Sequence, residues 1–177
     1  MPDDKQWASD RAVILQALGM FGPDTKPTAR LNVVKAADVA RLTKKDWQKE
    51  RDKMLRTCNQ CHPLSLSTEH LERGDQMIKK ADHLLAEAIR IVAELYKDGI
   101  FDKPEIYPYP FPDLLEFHDS PNEIEQKLFE MFYKHRTRAF QGTFHQNPDY
   151  AELYGWSEMR RGLDEIKGLA ASGKGKR

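Results

Sequence analysis

Cys58-Asn59-Gln60-Cys61-His62 holds both cysteines of the chain and one of its six histidines. Two thiols separated by two residues and followed at once by an imidazole form the C-x-x-C-H pattern of covalent haem c attachment. The spacing follows from that chemistry. The thiols add across two vinyl groups of the porphyrin, two intervening residues bridge those positions, and the adjacent imidazole reaches the iron as proximal ligand. Other readings fit the same residues less well. A zinc site needs two further N or S ligands at matching spacing, and no other cysteine exists. A thioredoxin-like dithiol expects a β-α-β pattern, which the chain lacks. A disulfide across two residues is strained and leaves His62 without a purpose.

A low-spin electron-transfer haem takes a sixth ligand, usually His or Met. His145 and His135 lead, because both fall on the stripe of Ile124, Leu128, Met131, Arg138 or Ala139 and Gly142 in the penultimate helix. Gly142 there allows a large group or another backbone to approach closely. His70 sits one turn into the long helix, His83 on its polar face, and His118 just before Ser120. Each of these taken alone reads more simply as a surface or hydrogen-bonded histidine. The sixth ligand can also come from outside the chain. Glu50 with Lys53, Glu69 with Arg73, and Glu130 with Lys134 are ordinary solvated helix-face pairs. No Ser/His/Asp set, paired acids or glycine-rich phosphate loop accompanies them.

The chain has 177 residues, which suits one domain. Lys plus Arg and Asp plus Glu are both 28, so nothing in the net charge points to nucleic acid or an anionic membrane surface. The apolar runs are far shorter than the ~18–20 residues of a membrane span. The first residues are acidic and polar and carry no signal peptide. Haem c is attached outside the bacterial cytoplasm, so the spectrum of readings includes a piece of a longer, exported protein.

The elements that must position the motif are all helical. The pattern predicts helices over about Ser9–Met20, Leu31–Leu42, Lys44–Thr57 with Thr43 as cap, and Ser67 or Thr68 to Asp98 with Gly99 as stop. The third of these delivers the chain into Cys58 with only Trp47, Met54 and Leu55 as apolar anchors, and Pro63 stops its continuation. The fourth is about 45 Å long and needs partners in a bundle. Pro104 to Pro112, interleaved with Tyr107, Tyr109 and Phe111, reads as an extended connector that packs aromatic rings on a neighbouring surface. Ser120-Pro121-Asn122-Glu123 reads as a capping box opening a helix to Phe144 or Gln146. A last helix covers about Ser157–Ala171. The organisation expected is an N-terminal helical segment (1–43), a haem c-binding helical domain (44–171) and a disordered tail (172–177). The fold class is all-α.

A wider set of residues resembles one family. Asp46-Trp47, Arg51, Met54, Thr57-Cys58, Gln60-Cys61-His62 and the long helix ending Glu94-Leu95-Tyr96 resemble the last haem-binding segment of hydroxylamine-oxidoreductase-like octahaem cytochromes. The likeness continues through Ser120 to Glu125, Lys127, Phe129-Glu130-Met131, Gly142, His145, Asn147-Pro148, Gly155-Trp156 and Glu165-Ile166, roughly residues 44–167. The resemblance implies a C-terminal, long-helix part of a larger periplasmic enzyme, with seven further haems, the catalytic one included, on an N-terminal part. It also implies a homotrimer packed through the long helices, and redox partner cytochromes. This chain would contribute one covalent haem c and no catalytic residue, so whether it is itself an enzyme stays open. In hydroxylamine-oxidising members a tyrosine three residues before the Gly-Trp region is cross-linked to a neighbouring subunit's haem. Here that position is Glu152, with Tyr150 and Tyr154 on either side, and members without the tyrosine are associated with reductive chemistry.

Rival readings keep the helices and change the role of the motif. A trimerisation or assembly module would hold a structural haem or none. A free-standing monohaem cytochrome is a third reading, and a helical interaction protein without haem predicts unmodified Cys58 and Cys61.

Overall fold

The computed structural model describes residues 3–37, 43–105, 107–116, 120 and 122–174. Leu42, His118 and Pro121 lie outside the described residues. Among those described the fold is all-α, and the one extended contact is an isolated bridge between Phe21 and Pro27. The order is α1 (Lys5–Ala17), α2 (Ala29–Ala36), α3 (Lys44–Cys58), α4 (Leu64–Lys97), α5 (Glu123–Phe129), α6 (Arg136–Phe144), α7 (Pro148–Ala151) and α8 (Ser157–Lys174). A π-helical segment, Glu130–His135, joins α5 to α6, and a second, Glu152–Trp156, joins α7 to α8.

Helix boundaries follow local chemistry. The Asp4 carboxylate accepts from the Trp7 N–H, so α1 starts well before the expected Ser9. It ends at Ala17, not Met20, because Gly19 adopts φ +66°. The Gly19 N–H then reaches the Gln16 carbonyl and the Met20 N–H the Leu15 carbonyl, a Schellman closure. Gly99 does the same for α4, with φ +62° and an Ile100 N–H to Leu95 carbonyl bond of 3.0 Å. Thr43 caps α3 through the Asp46 N–H at 3.1 Å, as the sequence predicts. The expected Ser120 cap is displaced: Asn122 accepts from the Ile124 N–H at 2.9 Å, and the Ser120 hydroxyl bonds the Glu125 carboxylate instead. In α2 the apolar face is smaller than expected, for Leu31 is buried while Val33 is exposed. The helix α8 takes in Ser172 to Lys174, past the expected end at Ala171.

The 34-residue α4 is the axis, about 51 Å long at 1.5 Å per residue. Helices α1, α3, α5, α6 and α8 all pack against it. Leu85, Ile89, Val92 and Leu95 of α4 meet Ile14 and Ala17 of α1, Ile124, Leu128 and Met131 of the α5 stretch, and Met159, Leu163 and Ile166 of α8 in one core. Burying each such aliphatic side chain contributes about 1.5–3 kcal/mol. A smaller cluster of Met77, Ala139 and Ala151 lies under Trp156. There the backbones nearly touch: a Cβ on Gly142 would fall 2.7 Å from Ala151 Cα, and one on Gly155 would fall 2.6 Å from Ala139 Cα. The approach expected at Gly142 is therefore filled by another backbone. In the connector, Tyr107 is buried, Tyr109 stacks on Phe111 at 5.5 Å, and the Leu114 N–H donates to the Ala17 carbonyl at 2.8 Å. Burial and the Glu125 carboxylate push the Tyr107 hydroxyl up to about 12.

Two buried carboxylates fix α1 and α6 onto α4. Asp82 is fully buried and accepts from Trp7 Nε1 (2.9 Å), Arg11 (3.3 Å) and Arg136 (2.7 and 3.0 Å). Asp10 is 1% exposed and engages Arg90 at 2.8 Å and His83 at 2.9 Å. His83 thus has a structural partner. Removing Asp82 strands the Arg136 guanidinium, whose side chain is only 14% exposed. Asp82→Ala is expected to cost about 3–5 kcal/mol in urea unfolding of the full chain. Lys134→Ala, which breaks the half-exposed pair with Glu130, should change stability by under ~0.5 kcal/mol. Equal costs would mean that Asp82 holds nothing together. Gly142→Ala should lose about 1–3 kcal/mol by overpacking, and a neutral result would contradict the close approach of Ala151.

Candidate haem attachment site

The attachment sequence is the link between α3 and α4. The α-helical hydrogen bonding of α3 runs on into it, with the Asn59 N–H on the Leu55 carbonyl at 2.9 Å. The Cys58 carbonyl then accepts from both Cys61 N–H (3.1 Å) and His62 N–H (3.0 Å). Residues three and four apart on such a turn are neighbours on one face. Cys58, Cys61 and His62 are therefore presented side by side by the backbone itself. Pro63, extended at φ −59° and ψ 143°, ends the turn, and α4 begins at Leu64, earlier than the expected Ser67. The Ser67 hydroxyl donates back to the Pro63 carbonyl at 3.4 Å instead of capping.

Both thiols are free, Cys58 half-buried and Cys61 exposed, and the His62 side chain is exposed. Among the described residues no hydrogen bond or ion pair engages the His62 ring. Apolar surface flanks the turn on both sides: Trp47 and Met54 before it, Leu64 and Leu66 after it, each 43–58% exposed. On α3, Trp47, Arg51, Met54 and Cys58 follow helical spacing along one side, yet α3 has no buried residue. It is held to α4 by the Arg51–Asp75 pair at 2.8 Å, with the guanidinium also 5.1 Å from the Trp47 ring. That brace joins residues 24 apart in the chain, a separation at which helical periodicity gives no signal. Two unblocked thiols, a free imidazole and uncovered apolar side chains fit the donor set and the flat apolar edge of a porphyrin.

The two leading sixth-ligand candidates sit in different places. His145 is exposed and caps the C-terminal end of α6. Gln146 takes the left-handed conformation (φ +53°), and the Asn147 N–H closes on the Gly142 carbonyl at 2.8 Å. This end of α6 lies beside the start of α4. His70 Nε2 is 3.3 Å from the Phe144 carbonyl, and a Cβ on Gly74 would meet the Phe144 ring at 2.7 Å. Residues 70–74 are about 9–15 Å along α4 from Leu64, so His145 and His70 share the end of the bundle that carries the attachment turn.

His135 is elsewhere. Its neighbour Arg136 binds Asp82, about 27 Å along α4 from Leu64. The ring is 7% exposed, and burial lowers its proton affinity, opposed by a hydrogen bond to the Tyr154 backbone. The structure does not bring His135 to Cys58, Cys61 and His62. Stripe periodicity placed both histidines on one helix face but could not show which end of the bundle each reaches. Among the described residues no three His, Cys, Asp or Glu side chains stand together as a metal site, and no helix is long and apolar enough to cross a membrane. Tyr150 and Tyr154 lie 6.2 Å apart, ring centre to ring centre, around the exposed Glu152.

Comparison with known proteins agrees with the chemistry of the turn. No curated protein and no solved structure matches the chain. The family model described as "Seven times multi-haem cytochrome CxxCH" matches residues 14–105, just over half the chain, from α1 through the attachment turn and all of α4. It takes in part of the N-terminal segment, where the resemblance was weakest. The chain has one C-x-x-C-H and two cysteines. It belongs to the multi-haem cytochrome CxxCH family, c-type cytochromes that hold haem covalently and carry electrons.

Proposed function

We propose that the chain is an electron-transfer module carrying one haem c, joined by thioethers to Cys58 and Cys61 with His62 as proximal ligand. The observation that supports this reading is the turn itself, in which Cys61 and His62 follow one helical turn on from Cys58, both thiols are free, and the neighbouring Met54, Leu64 and Leu66 are exposed. When bound, haem supplies a one-electron iron couple whose potential depends on axial ligation and burial. Cys58 and Cys61 would anchor the macrocycle, and His62, held by the turn on the Cys58 carbonyl, would supply the proximal nitrogen. His145 is the sixth ligand favoured over His135, because it shares the end of the bundle with the turn. A ligand from a neighbouring polypeptide remains the alternative source.

The module corresponds to the C-terminal part of a hydroxylamine-oxidoreductase-like multihaem enzyme acting on nitrogen compounds in the periplasm. The support is the residue pattern from Asp46 to Ile166 together with the long α4. In this reading the partners are the haem-bearing N-terminal part, two further copies in a trimer, and redox cytochromes. An assembly role is the second reading. It is favoured by large apolar side chains left uncovered far from the turn, with Tyr133, Leu153 and Tyr154 each 56–67% exposed.

Made in a host with periplasmic haem maturation, the full chain should gain the mass of one haem and show a sharp reduced α-band. Cys58→Ala with Cys61→Ala should abolish the mass gain. His145→Ala should convert a six-coordinate low-spin spectrum to high-spin, while His135→Ala leaves it unchanged. A wild-type chain that emerges with unmodified mass defeats the one-haem reading. A high-spin change in His135→Ala alone would reverse the choice of ligand.

A further inference from the structure

A second site lies where the first π segment meets α8, away from the attachment turn. The His135 ring is more than nine-tenths buried, and its Nδ1 has no hydrogen-bond partner among protein atoms. The Tyr154 backbone favours the protonated ring, which fits a carbonyl facing Nε2–H, since Nδ1 is the nitrogen without a partner. In the neutral ring, Nδ1 is then a lone pair in need of a donor. His135 lines a cavity of about 20 Å³ together with Lys127, Glu130, Glu158, Arg161, Gly162 and Glu165. One water needs roughly 10–15 Å³ and two to four polar partners. The cavity meets the first condition, and its charged lining offers the partners for the second.

The charges around it are paired but half-exposed. Lys127 binds Glu165 at 2.8 Å, Lys134 binds Glu130 at 3.2 Å, and Arg161 binds Glu158 and, at 3.6 Å, Glu165. The carboxylates retain lone pairs beyond those bonds, and they link the cavity to the surface. Glu130 and Glu158 act on His135 electrostatically, as His135 does on Glu165, so all three lie within range of the ring.

We propose that this cavity is a binding site for a single water molecule that relays protons between His135 Nδ1 and the carboxylates of Glu130, Glu158 and Glu165. The water donates one hydrogen to Nδ1 and the other to a carboxylate oxygen. On protonation it gives a proton to Nδ1 while receiving one from a protonated carboxyl or from solvent, so water is regenerated and the imidazole becomes imidazolium. The site does not depend on haem at Cys58 and Cys61.

High-resolution diffraction and ¹⁵N-histidine spectra of the full, haem-loaded chain in its reduced form test this. The expected result is an ordered water within hydrogen-bond distance of Nδ1, with the ring in the Nε2–H form at neutral pH. Burial keeps the ring neutral below the ordinary histidine value of about 6.5. The unfolded chain therefore takes up a proton that the fold refuses, and stability falls as the pH drops through that window. His135→Gln should flatten that slope. In Gly162→Ala the new Cβ would stand 2.8 Å from Met131 Cγ and push that side chain into the cavity. The water should vanish, and the His135 titration should move to lower pH. An Nδ1–H ring bonded directly to a glutamate, a metal ion at Nδ1, a dry cavity, or an unchanged titration in Gly162→Ala would each overturn the proposal. The wild-type tautomer decides the matter even if that variant fails to fold.

Discussion

A carboxylate at the centre of α4 sets the geometry of the bundle. Asp82 has no exposed surface, and its charge is tolerable there only because Trp7, Arg11 and Arg136 all donate to it. Such a pair contributes little net stability compared with an apolar replacement, but its directional bonds define one arrangement. Trp7 and Arg11 fix the rotation and height of α1 on α4. Arg136 fixes those of α6. Once that register is set, the position of every other residue on α6 follows, including how far His145 extends toward the start of α4.

The rest of the α6 seam follows from the same register. Gly142 and Gly155 let α6 lie backbone to backbone against Ala151 and Ala139. The small residues stand three apart on α6 (Ala139, Gly142) and four apart on the facing stretch (Ala151, Gly155), spacings that keep each pair on one face. One π segment lies just before Ala139 and the other holds Gly155. Each adds a residue to one turn, which rotates the following helix without breaking it. Glu130–His135 lets the residues before it face α8 while those after it face α4 and α7. The same rotation turns His135 inward, onto Tyr154 in the other π segment.

Much of this was legible in the sequence, and the illegible part has a physical reason. Thr43 and Gly99 were readable because caps and left-handed termini depend on one or two residues and their immediate neighbours. The all-α class was readable from periodicity, as was the close approach at Gly142. The attachment turn was readable because C-x-x-C-H is itself a local geometry. The two π segments left no trace, since one extra residue in a turn disturbs an apolar stripe less than normal variation does. Asp10 reads from the sequence as a candidate cap of the first helix but is buried within it, and Asp82 carries no reading there, although it interrupts the buried run Ala81, Leu85, Ala86 and Ile89, which was the available signal. His135 and His145 looked equivalent because they share a stripe. The bond between Arg136 and Asp82, 54 residues apart in the chain, and the packing of Phe144 on His70 and Gly74 separate them.

The haem end of the molecule differs from the rest in how its stability arises. Around Asp82 and the Leu85–Leu95 stretch, apolar side chains are buried and charges are paired within the chain. Around Cys58 the opposite holds: α3 buries nothing, and its tie to α4 is the Arg51–Asp75 bridge and a partly covered Trp47. A helix with so few buried contacts opens easily on its own. Thioether bonds at both thiols would tie the end of α3 to the turn and would bring apolar surface to a region where the chain leaves apolar side chains uncovered. The division makes chemical sense for a protein whose thiols must be reached by the porphyrin vinyl groups. A rigid α4 scaffold would fix where such a site stands, while a loosely packed α3 would keep it open until the bonds are made.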